Sequence, residues 1–147
     1  MPVASPLLES AAAAPHAAPQ VTVAICTRNR ARLLERAVRS VLSQITGNIE
    51  ILIVDNASTD DTAEVAGRLA AVAPCVVFCR EEEPGLSAAR NTALRRARGH
   101  YVIFLDDDAV AEPGWLAAYE TFLSALPSER VAVVGGPVTP EYEAPLP

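Results

Sequence analysis

The sequence predicts an α/β domain, a mainly parallel sheet with helices on both faces. Three observations carry that prediction. Short apolar runs alternate with longer segments whose apolar residues recur every three to four positions. The runs are continuous, as in strands covered on both sides, and lack the polar alternation of a half-solvated sheet. They also end in polar residues, carboxylates above all, which places chemistry at one edge of the sheet.

The elements follow in order. Residues 1–19 are Ala- and Pro-rich with no sustained apolar period, and read as a flexible leader. Val21 to Cys26 is the first strand, closed by Thr27-Arg28-Asn29-Arg30. A helix from Ala31 to Gln44 buries Leu34, Val38, Val41 and Leu42 and turns Arg32, Glu35, Arg36 and Arg39 outward. Gly47-Asn48 turns the chain into the second strand, Ile49 to Val54, which runs into Asp55. Asp60 or Ser58 is expected to cap the next helix, whose apolar face is Val65, Leu69 and Val72. Pro74 ends it, and Cys75 to Cys79 forms the third strand. The helix Leu86 to Arg98 places Leu86, Ala89, Ala93, Leu94 and Ala97 inward, with Gly99 as its stop. Tyr101 to Leu105 is the fourth strand. Pro113 opens a last helix with Trp115, Leu116, Tyr119, Phe122 and Leu126 on its apolar side. Val131 to Val134 reads as a fifth strand, and residues 137–147 are too Pro-rich to extend a sheet.

Right-handed crossovers put the first four strands in the order 3-2-1-4. Ligands of such sheets bind beyond the strands' C-terminal ends, at the switch between strands 1 and 4. That rule singles out Thr27, Asp55 and the run Asp106-Asp107-Asp108. Three adjacent carboxylates repel one another, and nothing in a strand needs them. A divalent cation against them removes the conflict, and an all-oxygen ligand set favours a hard ion, Mg²⁺ or Mn²⁺. The competing reading is a solvated acidic loop.

Composition excludes several classes. The chain has 147 residues, the length of one domain, and half are hydrophobic, enough for a core. The net charge of −6 argues against a nucleic-acid surface. All 12 basic residues are arginine, so a phosphate loop with its lysine and Schiff-base chemistry are both out. Dinucleotide binding demands a glycine-rich turn after strand 1, yet the first glycine is Gly47. A phosphoacceptor receiver domain would likewise want a lysine. Cys26, Cys75 and Cys79 form no disulfide framework; Cys75 and Cys79, four apart in a strand, would have Cα atoms about 13 Å apart. No secretory signal or membrane span is visible, so the expected location is the cytoplasm, with peripheral association at the inner membrane face as the variant.

Four segments in order resemble the successive motifs of family 2 glycosyltransferases. They are Thr27-Arg28-Asn29-Arg30, Val54 to Asp60, Gly85 to Asn91, and Gly99 to Asp108. The resemblance covers about residues 20 to 136. It implies a truncated Rossmann-like GT-A fold and a nucleotide-diphospho-sugar donor, a UDP-sugar first. It implies that Thr27 lines the nucleotide pocket and that Asp55 accepts a hydrogen bond from the base. It makes Asp106 and Asp108 the carboxylates of a D-x-D motif, with Asp108 the direct metal ligand and Asp106 or Asp107 nearer the ribose and metal-bound water. Mg²⁺ or Mn²⁺ would then offset the diphosphate's charge. Arg90 could reach that diphosphate, or could be a surface arginine paired with Glu82 or Glu83. Arg28 and Arg30 are weaker candidates of the same kind. Trp115 could floor a sugar pocket, but a core-facing aromatic is the better reading.

Inverting members need a carboxylate base downstream of the D-x-D motif, in an acceptor-binding half. Glu112, Glu120, Glu129, Glu141 and Glu143 match no such context. The expectation is therefore a donor-binding half whose base lies outside this chain and whose acceptor, a saccharide or a lipid-linked one, is not legible. The alternatives are an inactive nucleotide-binding or interaction module and a nucleotidyltransferase. The latter would bring a basic, glycine-rich loop after strand 1.

Overall fold

The computed structural model describes residues 18–125 and 133–140. Among these residues four strands and four helices alternate. They are β1 (Val21–Thr27), α1 (Ala31–Leu42), β2 (Ile49–Asn56), α2 (Thr62–Val72), β3 (Val76–Glu81), α3 (Leu86–Arg96), β4 (Tyr101–Phe104) and α4 (Trp115–Ala125). The strands pair in the order β3-β2-β1-β4, all parallel, as the crossover rule predicts.

Alternate residues of each strand serve opposite layers. Val23, Ile25, Ile51, Ile53, Ile103 and their neighbours meet α1, α2 and α4 in the larger core cluster. Ala24, Leu52 and Val54 face the other way, against Ala89 and Ala93 of α3. Gln44, beyond the end of α1, fastens the segment after β4: its Nε2 donates to the Ala111 carbonyl and its Oε1 accepts from the Leu116 amide.

A polar layer sits beneath α3 at the opposite end of the strands from their C-termini. Glu50, 2% exposed in mid-sheet, accepts from the Thr22 hydroxyl at 2.8 Å and from the Arg98 amide at 3.0 Å, and its other oxygen takes Arg98 Nε. Thr22 Oγ1 in turn accepts from the Gly99 amide. This network binds the α3–β4 turn to β1 and β2 and satisfies every polar group it buries.

Several expectations change. Gly99 is not a left-handed helix stop. A side chain there would overlap the Thr22 amide nitrogen and stand 2.7 Å from the Val21 carbonyl carbon, so close backbone approach demands glycine. Val72 is 78% exposed and Leu86 and Leu94 are each 56% exposed; α2 and α3 bury narrower stripes than the apolar period suggests. On α4 the buried residues are Leu116 and Leu123, not Phe122, and Leu126 lies outside the described residues. Of the expected fifth strand, Val133 and Val134 belong to no strand, and residues 131 and 132 lie outside the described residues. Nearly all of the leader and residues 141–147 also lie outside them. The three cysteines are free and partly buried. Among the described residues no helix is long and apolar enough to cross a membrane.

Candidate functional site

Three strand ends make the site. β1 and β2 run in register to Thr27 opposite Asp55, and β3 continues the row with Arg80 opposite Asp55. On the other side of β1, the Leu105 amide bonds to the Ala24 carbonyl and carries the chain into Asp106. A cavity of about 450 Å³ opens at this edge. Thr27, Arg28, Arg90, Asp106, Asp107 and Asp108 line it, together with Cys26, Arg30, Asn56, Gly85, Leu86 and Ala89.

Asp55, expected to meet the base, does not line the cavity. Its side chain is fully buried, one oxygen accepting from the Ser58 amide at 3.2 Å and the other from Arg80 Nη1 at 2.9 Å. Arg80 also donates to the Ser58 carbonyl and to Glu82. Ser58 is therefore no helix cap: its hydroxyl accepts from the Asn29 amide, and Asn29 Oδ1 accepts from the Thr59 amide. The two loops after β1 and β2 are thus laced together. Asn29 reaches this arrangement at φ 54°, a left-handed conformation that asparagine tolerates. Asp60 is not the cap either: the N-cap position of α2 is Asp61, which makes no side-chain cap hydrogen bond, and Asp60, one residue earlier, accepts from the Thr62 amide; hydrogen bonds from Thr62 hold its carboxyl below the usual carboxylate range.

The acidic run is wired to two arginines. Arg30 Nη1 lies 2.9 Å from Asp107 Oδ1 and 3.0 Å from Asp108 Oδ2. The Asp107 hydrogen bond is the main cause that raises the guanidinium's pKa. Arg90 lies 3.5 Å from Asp106 and 5.8 Å over the Phe104 ring, so its partner is neither Glu82 nor Glu83. Asp107 is buried, whereas Asp106 and Asp108 are exposed at the cavity rim. Thr27 Oγ1 is buried and has no hydrogen-bond partner, the one such side-chain atom among the described residues. Burial pushes the Cys26 thiol up to about 11, so it is no nucleophile at neutral pH. Trp115 packs on the core against Tyr119 and takes no part in the cavity.

The donor set fits a hard divalent ion. No three His, Cys, Asp or Glu side chains among the described residues are placed to hold a metal by themselves. Magnesium and manganese sites of nucleotide enzymes use one or two carboxylates and take phosphate and water for the rest. Exposed Asp106 and Asp108, which line the cavity, would supply that share if such an ion were bound.

Sequence reasoning missed Arg80 and gave Asn56 no role. Asn56 accepts from the Gly85 amide at 2.7 Å and donates to the Glu83 carbonyl, fixing the loop that starts α3. Its place in the quoted motif was a signal. For Arg80 there was none, because its contact with Asp55 depends on the pairing register of β3.

The sheet order and the strand-end carboxylates define a parallel α/β domain, and its structural neighbours are GT-A glycosyltransferases. Residues 22–143 match the family model described as Glycosyl transferase family 2. The chain belongs to that family, and four motifs legible in the sequence anticipate it. A glucosyl-dolichyl phosphate glucuronosyltransferase of Haloferax volcanii is 31% identical over 131 residues, covering 87% of this chain and 41% of that protein. The mannosyltransferase PcManGT from Pyrobaculum calidifontis, solved with GDP-Man and Mn²⁺, is similar at a TM-score of 0.67 and 34% identity, over 76% of this chain and 34% of that one. TarS residues 1–349 of S. aureus, solved with UDP-GlcNAc, shares the fold at a TM-score of 0.66 and 23% identity, over 83% of this chain and 37% of that one. The chain therefore spans less than half the length of these relatives.

Proposed function

We propose that this chain binds a nucleotide-diphospho-sugar together with a divalent cation, as the donor-binding part of a glycosyltransferase acting on an acceptor hydroxyl. One observation carries the reading: Thr27, Arg28, Arg90 and Asp106–Asp108 surround a single cavity at the β1/β4 switch. PcManGT, which holds GDP-Man and Mn²⁺, supports the metal and the donor class.

Each residue has a task. Asp108, with Asp106, holds the ion, Mg²⁺ or Mn²⁺. When bound, that ion offsets the diphosphate charge and stabilises the departing nucleoside diphosphate. Arg90 and Arg28 meet the phosphates with charge-assisted hydrogen bonds. Thr27 gives its unpaired hydroxyl to the ligand. Asp107, with Asp106, lies toward the ribose. Asp55 accepts from the base, since each carboxylate oxygen retains acceptor capacity beyond its one protein partner. For the base to reach it, Arg80 has to swing aside.

Calorimetry tests the proposal. UDP or GDP binds in the presence of Mn²⁺ and not in its absence, and Asp108→Ala abolishes that dependence. An unaltered chain that binds no nucleotide with Mn²⁺ would sink the reading and leave an interaction module in its place.

A further inference from the structure

Arg30 stands where two cations compete for one carboxylate. Its Nη1 bridges Asp107 and Asp108, but the two contacts differ in setting. The Asp107 side chain is 8% exposed and that of Asp108 is 56% exposed. The first contact is part-buried, because its carboxylate end is withdrawn from water, and the second is exposed at both ends. The backbone of Arg30 is fixed as well: its amide donates to Thr62 Oγ1 at 3.0 Å, and its carbonyl accepts from the Leu34 amide in the first turn of α1. The guanidinium is thus anchored on Asp107 and reaches Asp108 as its loosest contact. Arg90 and Asp106, both exposed and 3.5 Å apart, form no comparable lock.

We infer that Arg30 is a positioning residue that serves as the resident counter-ion of Asp108 and suppresses capture of a free divalent cation until a nucleoside diphosphate is present. The inference rests on the donor-site reading. A cation arriving alone must displace the guanidinium from Asp108 or sit beside its positive charge. A diphosphate in the cavity changes the balance. Its oxygens offer the released guanidinium a new charge-assisted partner while Arg30 keeps its hold on Asp107. Metal and nucleotide then favour each other's binding, and by linkage the factor is the same in both directions.

The test uses the full chain and follows Mn²⁺ binding by loss of the free-ion paramagnetic resonance signal. Native protein, Arg30→Gln and Arg30→Met are each titrated with Mn²⁺ alone, then with UDP or GDP present. The expected result is that both variants bind Mn²⁺ alone on the order of tenfold more tightly than the native chain. The enhancement by nucleotide shrinks in proportion, and adding Asp108→Asn removes the gain. A purely structural arginine would lower metal affinity and melting temperature together, so a rise in affinity separates the two roles. Unchanged or weaker Mn²⁺ binding in the variants, with native protein still taking up Mn²⁺ beside a nucleotide, overturns the inference alone. Failure of both variants to fold by circular dichroism also overturns it, because Arg30 would then be a folding residue. Native protein that takes up no Mn²⁺ with either nucleotide overturns the donor-site reading, and the inference with it.

Discussion

Arg80→Met tests how the buried Asp55 carboxylate is held. Asp55 is fully buried, and its two oxygens each have one protein partner. The substitution removes the Arg80 bond at 2.9 Å and leaves the Ser58 amide alone at 3.2 Å. Breaking a wholly buried ion pair costs about 3–5 kcal/mol. Arg80 is 39% exposed, so water takes part of its place, and the expected loss falls to about 2 kcal/mol. With a urea slope of roughly 1.3 kcal/mol/M for a domain of this size, the unfolding midpoint drops by about 1.5 M. Asp55→Asn removes the same pair from the other side. The double variant should therefore lose about 1–2 kcal/mol less than the sum of the singles. Urea unfolding of the four proteins measures all three quantities. A loss below about 0.5 kcal/mol for Arg80→Met, or strict additivity, would show that the pair is not what satisfies Asp55.

Further outcomes are specific to other positions. Gly99→Ala forces β1 away from the α3–β4 turn and costs about 2–3 kcal/mol, read by thermal or urea unfolding. Thr27→Val removes a buried hydroxyl that has no partner, so stability holds or rises by about 1 kcal/mol while nucleotide affinity with Mn²⁺ falls; a clear loss of stability would mean that the hydroxyl is satisfied within the protein. Cys26 resists thiol reagents near pH 8 and reacts once the pH approaches 11. Burial raises its pKa above the ordinary value of 9.0, so the neutral thiol favours the folded state. That stability is intact below pH 9 and declines as the pH climbs from 9 toward about 11, which a Cys26→Ala variant would not show.

Particular residues show where the sequence was readable. The strands were plain because runs such as Val21 to Cys26 and Ile49 to Val54 are buried on both faces and almost wholly apolar, Thr22 and Glu50 apart. Glu50 is the one charged residue in them, and a lone acid in such a run gives no hint that Arg98 and Thr22 will enclose it. Apolar periodicity misjudged Val72, Leu86 and Leu94 because it reports a helix's possible contact face, whereas the area covered depends on how far the neighbouring layer reaches. Gly99 was read as a helix stop on local grounds; its reason is the backbone of β1, some 77 positions away, since Thr22 accepts from its amide.

The chain by itself determined the element order, the crossover topology and the three strand ends that carry polar chemistry. Each of these follows from local patterning combined with the handedness of parallel connections. Tertiary structure alone decided which charges face one another. Arg80 meets Asp55 through the β2–β3 register, and Arg30 meets Asp107 and Asp108 across 77 and 78 positions. Side-chain ion pairing depends on separations of a few ångströms, and only the packed sheet edge brings segments so distant in sequence to that range.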